Sequence, residues 1–197
     1  MNKVYAVVYS VLWIIFKIVH PWKVIGNKHM PENGVLICGN HSSMSDPIYV
    51  AMALGHRQQS RIIAKIELMR IPVLGFILKH AGIIGIDRGK ADVGAIKSAL
   101  KALKNKERLL MFPEGTRVEE GAEGDAHAGA AMLATRTGVP IVPVYIPRKK
   151  KWFAKTPVVF GDPYYPEYEG NRASAEDYKR IAADLMKRIY AMEDQAK

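Results

Sequence analysis

His41 and Asp46 stand five positions apart in Gly39-Asn40-His41-Ser42-Ser43-Met44-Ser45-Asp46, a run of mostly small polar residues that follows the apolar stretch Val35–Cys38. An imidazole with an ordinary pKa of about 6.5 exchanges a proton at neutral pH. A carboxylate on its second ring nitrogen would fix the tautomer and stabilise the imidazolium. The pair suits deprotonation of a hydroxyl. Both residues also have plainer readings: Asp46-Pro47 resembles an N-cap followed by proline at the first helical position, and His41 suits a turn histidine bonded to backbone. No further carboxylate or cysteine cluster completes a zinc site here, and no Gly-x-Ser-x-Gly elbow is present, which argues against zinc and ordinary serine hydrolysis. Ser42, Ser43 and Ser45 read as lining or capping residues, and Cys38, inside the apolar run, as a small core residue.

A second chemistry is anion binding. Arg88 lies between Gly85 and Gly89, and Arg117 closes Phe112-Pro113-Glu114-Gly115-Thr116-Arg117. Guanidinium groups hold phosphate oxygens bidentately, glycines allow close backbone approach, and the Thr116 hydroxyl adds a donor. Glu114 reads as an acceptor for a substrate hydroxyl or a partner for an arginine. Taken singly, each arginine better suits a surface ion pair and Glu114 also suits an ordinary turn, but two arginines at successive strand ends shift the reading toward an anion site. Neither loop has the spacing of a P-loop or a dinucleotide fingerprint, so nucleotide hydrolysis is not indicated.

These loops need a frame that brings them together. Short β-rich runs at Val35–Cys38, Arg61–Ala64, Ile83–Asp87, Arg108–Phe112, Ile141–Ile146 and Val158–Phe160 alternate with helical patterns. The alternation predicts an α/β single domain with a largely parallel central sheet flanked by helices. In such a sheet the working site forms beyond the carboxyl ends of the strands, where the three loops fall. Val93, Ile96, Leu100 and Leu103 predict one apolar helical stripe with Asp92 as N-cap and Lys97, Lys101 and Lys104 outside. Ser174-Ala175-Glu176-Asp177 predicts a capped C-terminal helix packing through Tyr178, Ile181, Leu185, Ile189 and Met192.

Residues 1–24 are expected to form a membrane-associating helical segment, and residues 25–197 the catalytic domain. Val4 to Phe16 is apolar, bracketed by Lys3 and Lys17, and shorter than the roughly 20 residues a spanning helix needs. Lys17, His20 and Pro21 stand where a signal-peptide cleavage site would be. Tyr5, Tyr9, Trp13 and Trp22 favour the headgroup zone, and a terminal helix buried in the core is the competing reading. A single cysteine excludes an intramolecular disulfide framework and points to the cytoplasm. The net charge of +10 implies an acidic partner, either anionic membrane lipids or a phosphorylated substrate with an acidic carrier. Nucleic acid is disfavoured because the aromatic residues are not interleaved with the basic ones. The run Arg148-Lys149-Lys150-Lys151 reads as a patch for lipid phosphates or another acidic partner, with a solvated charge cluster as the competing reading.

Asn40-His41-Ser42-Ser43-Met44-Ser45-Asp46, Gly82 to Arg88, Phe112 to Arg117 and Val139 to Val144 together resemble, in order, the four blocks of the glycerolipid acyltransferases, a family that includes the 1-acylglycerol-3-phosphate acyltransferases. Gly85 stands where that family often has an aromatic residue. The resemblance implies an acyltransferase acting on lysophosphatidic acid, with glycerol-3-phosphate or another lysophospholipid as alternative acceptors and acyl-carrier protein or acyl-CoA as donor. It implies catalysis by His41 and Asp46, acceptor phosphate binding through Arg88, Glu114, Gly115 and Arg117, and neither metal nor prosthetic group. Backbone N–H groups around Ser42 and Ser43 are candidates for the oxyanion hole, and Ile71 to Ile84 for a wall along the acyl chain. A non-catalytic lipid-binding protein would share the basic surface without needing the His-Asp pair. A lipase or thioesterase would use the same His with water.

Overall fold

The computed structural model describes residues 3–26, 30–55, 59–87, 92–115, 117 and 127–197. The elements run α1 (Lys3–Val19), β1 (Trp22–Gly26), β2 (Val35–Gly39), α2 (Asp46–Leu54), β3 (Ser60–Lys65), a 3-10 turn (Ile66–Arg70), α3 (Leu74–His80), β4 (Ile84–Ile86), α4 (Val93–Lys104), β5 (Arg108–Met111), α5 (Gly129–Thr137), β6 (Ile141–Tyr145), β7 (Thr156–Phe160) and α6 (Ala175–Tyr190). The strands form a seven-stranded sheet in the order β1-β7-β6-β2-β5-β3-β4. Every pairing is parallel except β6 with β7.

β2 is buried along its whole length, as a central parallel strand covered on both faces must be. Its alternate residues feed two cores. Val35 and Ile37 pack with Tyr49 and Val50 of α2, Leu110, Val142, Val144 and Phe160, and the cluster continues into Tyr5, Tyr9 and Phe16 of α1. Leu36 and Cys38 face the other way, among Ala99 and Leu103 of α4, Leu133 of α5, and Leu185 and Ile189 of α6. Burial pushes the Cys38 thiol far up, away from nucleophilic use.

Two differences from the patterns in the sequence have physical reasons. Trp22–Gly26 is a strand, laid parallel along β7, so residue 24 falls inside the sheet. This edge strand is half exposed and lacks an alternating pattern, which left its aromatic and basic residues looking like a lipid-facing flank. α4 begins at Val93 with the Asp92 side chain accepting from the Ala95 N–H, but it buries Ala95, Ala99, Ala102 and Leu103 while Val93 is 58% exposed. Small alanines let that helix lie close to its neighbours, so the buried face is displaced from the bulkier stripe.

α1 is apolar on two faces, one in the core and one outside. Tyr5, Tyr9 and Phe16 enter the core, with the Phe16 ring edge-on to Tyr49 at 5.2 Å. Val7, Val11, Ile14, Ile15 and Ile18 are exposed. No helix among the described residues is long and apolar enough to cross a membrane. α6 follows its sequence signature, with a reciprocal Ser174–Asp177 capping box and a buried Ile181, Leu185 and Ile189 face.

Candidate active site

The carboxyl ends of β6, β2 and β5 lie side by side and level, with Gly39 opposite Val144 and Cys38 opposite Met111. The chain leaves β2 for β3 and β4, returns to β5, then crosses to β6 on the far side of β2. A crevice at such a reversal is where α/β sheets place their chemistry. The loop after β2 is tied to both neighbours. Asn40 Nδ2 donates to Ile146 O and its Oδ1 accepts from Ile146 N–H, both at 2.8 Å. On the other side His41 N–H donates to Glu114 Oε2 at 2.8 Å.

Within that loop, Asp46 is the first residue of α2 rather than its cap. Ser45 occupies the cap position without a side-chain capping bond, and Pro47 fills the first turn. The Asp46 carboxylate turns back into the loop and is fully buried. Its Oδ2 lies 3.1 Å from His41 Nδ1 and accepts from Ser42 and Ser43 N–H, each at 2.7 Å. Its Oδ1 lies 2.7 Å from Lys150 Nζ, on a side chain only 7% exposed. Burial works to raise the Asp46 pKa, but the hydrogen bond to His41 and the Lys150 ammonium outweigh it and hold the carboxyl below its ordinary range. An ionised carboxylate accepts only, so Nδ1 of His41 carries the hydrogen and Nε2 keeps its lone pair. The imidazole stacks on Phe112 with ring centres 4.4 Å apart. This arrangement can accept a proton at Nε2 and stabilise the resulting cation from behind.

Glu114 is 3% exposed, and both its oxygens meet protein donors: Oε2 takes the His41 amide, and Oε1 takes the Tyr190 hydroxyl at the end of α6. Burial raises its pKa above the ordinary glutamate value, against the lowering effect of those two bonds. Arg148 Nη2 donates to the same tyrosine hydroxyl at 3.1 Å. Glu114 thus supports the His41 backbone directly. The Ser42 and Ser43 amides, expected near an oxyanion, both donate to Asp46 Oδ2 instead. Gly115 turns with φ +68°, where an added Cβ would sit 2.4 Å from His127 Cδ2. Arg117 is exposed just beyond that turn, while Arg88 and Thr116 lie outside the described residues. The stretch Ile71–Ile84 exposes Ile71, Val73, Leu74 and Phe76 instead of packing as a plain core helix. Among the described residues no group of three His, Cys, Asp or Glu side chains could hold a metal ion.

Lys150, Tyr190 and the clamp made by Asn40 were not distinguished by sequence spacing. Lys150 had a usable signal: it follows β6, and the rule that singled out the loops after β2, β4 and β5 applies to that strand as well. Its place inside a basic run concealed it.

With this fold and site, the chain belongs to the Acyltransferase family, whose model matches residues 21–147. The 1-acyl-sn-glycerol-3-phosphate acyltransferase of Pseudomonas aeruginosa is 31% identical over 174 residues, covering 82% of this chain and 66% of that protein. The chloroplastic 1-acyl-sn-glycerol-3-phosphate acyltransferase BAT2 of Brassica napus is 31% identical over 139 residues, 68% of this chain and 40% of that one. The chain thus spans less than two thirds of the length of these relatives. The crystal structure of the 1-acyl-sn-glycerophosphate (LPA) acyltransferase PlsC from Thermotoga maritima superposes with a TM-score of 0.69 over 98% of this chain and 79% of that one, at 23% identity, and shares its fold.

Proposed function

We propose that the protein transfers a fatty acyl group from a thioester of acyl-carrier protein or coenzyme A to the sn-2 hydroxyl of 1-acylglycerol-3-phosphate, forming phosphatidic acid. The observation that carries this reading is the buried His41–Asp46 pair, 3.1 Å apart, on a loop tied to the strands on either side, in a chain whose relatives are named for that activity. His41 Nε2 takes the proton of the acceptor hydroxyl as its oxygen attacks the thioester carbonyl. The tetrahedral oxyanion collapses, the carbon–sulfur bond breaks, and the departing thiolate recovers the proton from the imidazolium. The thioester is already activated, so positioning and proton transfer suffice and no acyl-enzyme is needed. Arg117, with Arg88 and Thr116 on sequence grounds, holds the acceptor phosphate, and Gly115 gives the turn its close approach.

The acceptor is a lipid, and the outer face of α1 supplies the place to meet it. Val7, Val11, Ile14 and Ile18 lie along one side of the helix, with Lys17 at its last turn for anionic headgroups. Trp152 and Phe153 extend the same surface. They are 66% and 70% exposed on a loop joined to the end of α1 by a 2.8 Å bond from Phe153 N–H to Val19 O. The protein works in this reading as a peripheral enzyme of the cytoplasmic membrane face.

The test is conversion of radiolabelled lysophosphatidic acid to phosphatidic acid, run with acyl-carrier protein and coenzyme A thioesters separately and with glycerol-3-phosphate as a competing acceptor. Turnover of lysophosphatidic acid with either donor supports the reading. Exclusive use of glycerol-3-phosphate, or hydrolysis without any acceptor, would replace it.

A further inference from the structure

Four basic residues in a row, Arg148 to Lys151, have the composition of a solvated patch, yet the third turns inward. Lys149 and Lys151 are exposed, while the Lys150 side chain is 7% exposed. Lysines are seldom buried unless paired, and this one forms an ion pair with Asp46 Oδ1 at 2.7 Å and donates to Ser42 Oγ at 3.1 Å and Arg148 O at 3.5 Å. Asp46 needs it in return. Oδ2 receives the imidazole and two amides, and the Lys150 ammonium is what faces Oδ1 in the fully buried carboxylate. The loop that delivers Lys150 is fixed on both sides, by the Asn40 clamp on Ile146 and by the Phe153–Val19 bond, with the Trp152 ring 4.8 Å from His20. The frame, rather than a wandering side chain, sets where the ammonium sits.

We propose that Lys150 is a positioning residue of the acyl transfer, holding Asp46 by Oδ1 so that Oδ2 meets His41 Nδ1, and offsetting the charge with which that carboxylate would otherwise retain a proton on the imidazole. The inference rests on His41 being the base. A bare buried carboxylate behind an imidazole favours the imidazolium, and a base that is already protonated cannot take the acceptor's proton. A cation on the far oxygen weakens that preference while keeping the carboxylate ionised. Among the described residues, the other titratable or charged groups near the pair are Glu114, which accepts the His41 amide, Arg148 and Tyr190 beyond it, and Tyr49 of α2 beside Asp46.

Lys150→Met keeps the length and removes the charge. The expected result is a fall of at least tenfold in kcat, with KM for lysophosphatidic acid changed less than threefold. The acid limb of the kcat/KM profile should move to higher pH by at least half a unit, because the imidazolium then faces an uncompensated carboxylate. Lys150→Cys treated with 2-bromoethylamine restores an ammonium at nearly the same place, and its limb should return toward that of the wild type. This comparison is made on one folded preparation before and after alkylation, so it holds even where the methionine variant folds poorly. A limb that stays in place or moves to lower pH, or a rise in KM with kcat and limb unchanged, as direct binding of the acceptor phosphate would give, overturns the proposal. His41→Ala in parallel separates the two claims: activity surviving there removes the base, whereas a dead His41→Ala beside an unaltered Lys150→Met removes only the role of Lys150.

Discussion

Oδ2 of Asp46 gathers three donors from one loop, the His41 ring and the amides of Ser42 and Ser43, so a single carboxylate both shapes the turn and orients the imidazole. Asp46→Asn preserves size but presents an amide that cannot satisfy all three donors and Lys150 at once. Turnover should fall by roughly 10²–10⁴-fold, the range for loss of a positioned acid–base function, as steady-state kinetics at neutral pH will show. The same residue has a signature in stability. Its folded pKa lies below the ordinary 3.8, so its contribution is present above that value and is lost as pH falls through the lower folded value. Thermal melts of wild type and Asp46→Asn should therefore differ most near neutrality and converge in acid below about pH 4. The His-Asp spacing was legible because both partners sit in one short segment. Lys150 was not, since it reaches Ser42 across 108 positions of chain and only folding brings them together. Glu114 was found by type and place, but nothing local shows that it also takes the His41 amide and the Tyr190 hydroxyl.

Between the strand ends, Asn40 splices the loop after β2 to the chain leaving β6 through paired 2.8 Å bonds to Ile146. Asn40→Ala would leave a buried amide N–H and carbonyl without partners, a cost of about 1–3 kcal/mol that a denaturant titration can read. Activity should fall further than stability does, because the same splice sets the start of the loop carrying Lys150. Elements with strong local signals were legible. The Ser174–Asp177 capping box and the Asp92 cap fall where their side chains predict, and the runs leading into the three loops are strands. The misses came from context. β1 has the composition of an interfacial flank and becomes a strand only because β7 offers it an edge. α4 buries alanines because neighbours approach closely, and local periodicity does not report on neighbours.

The molecule as a whole carries +10 and presents α1 with one apolar face in the core and the other outside. The triple substitution Val11→Ser, Ile14→Ser, Ile18→Ser removes apolar surface that the core does not use. Sedimentation with phosphatidylglycerol vesicles should drop several-fold while the melting temperature stays within a few degrees, and binding that survives would assign lipid contact to another surface. Such a variant should still turn over lysophosphatidic acid dispersed in detergent, where no bilayer need be reached. The proposed function requires this fold to place His41 against a lipid hydroxyl and a thioester. It is tested most directly by phosphatidic acid formation in detergent with wild type and His41→Ala, each verified as folded by its melting curve. A folded His41→Ala with turnover reduced by at least 10²-fold is the expected result. Turnover close to wild type in the folded variant would contradict it.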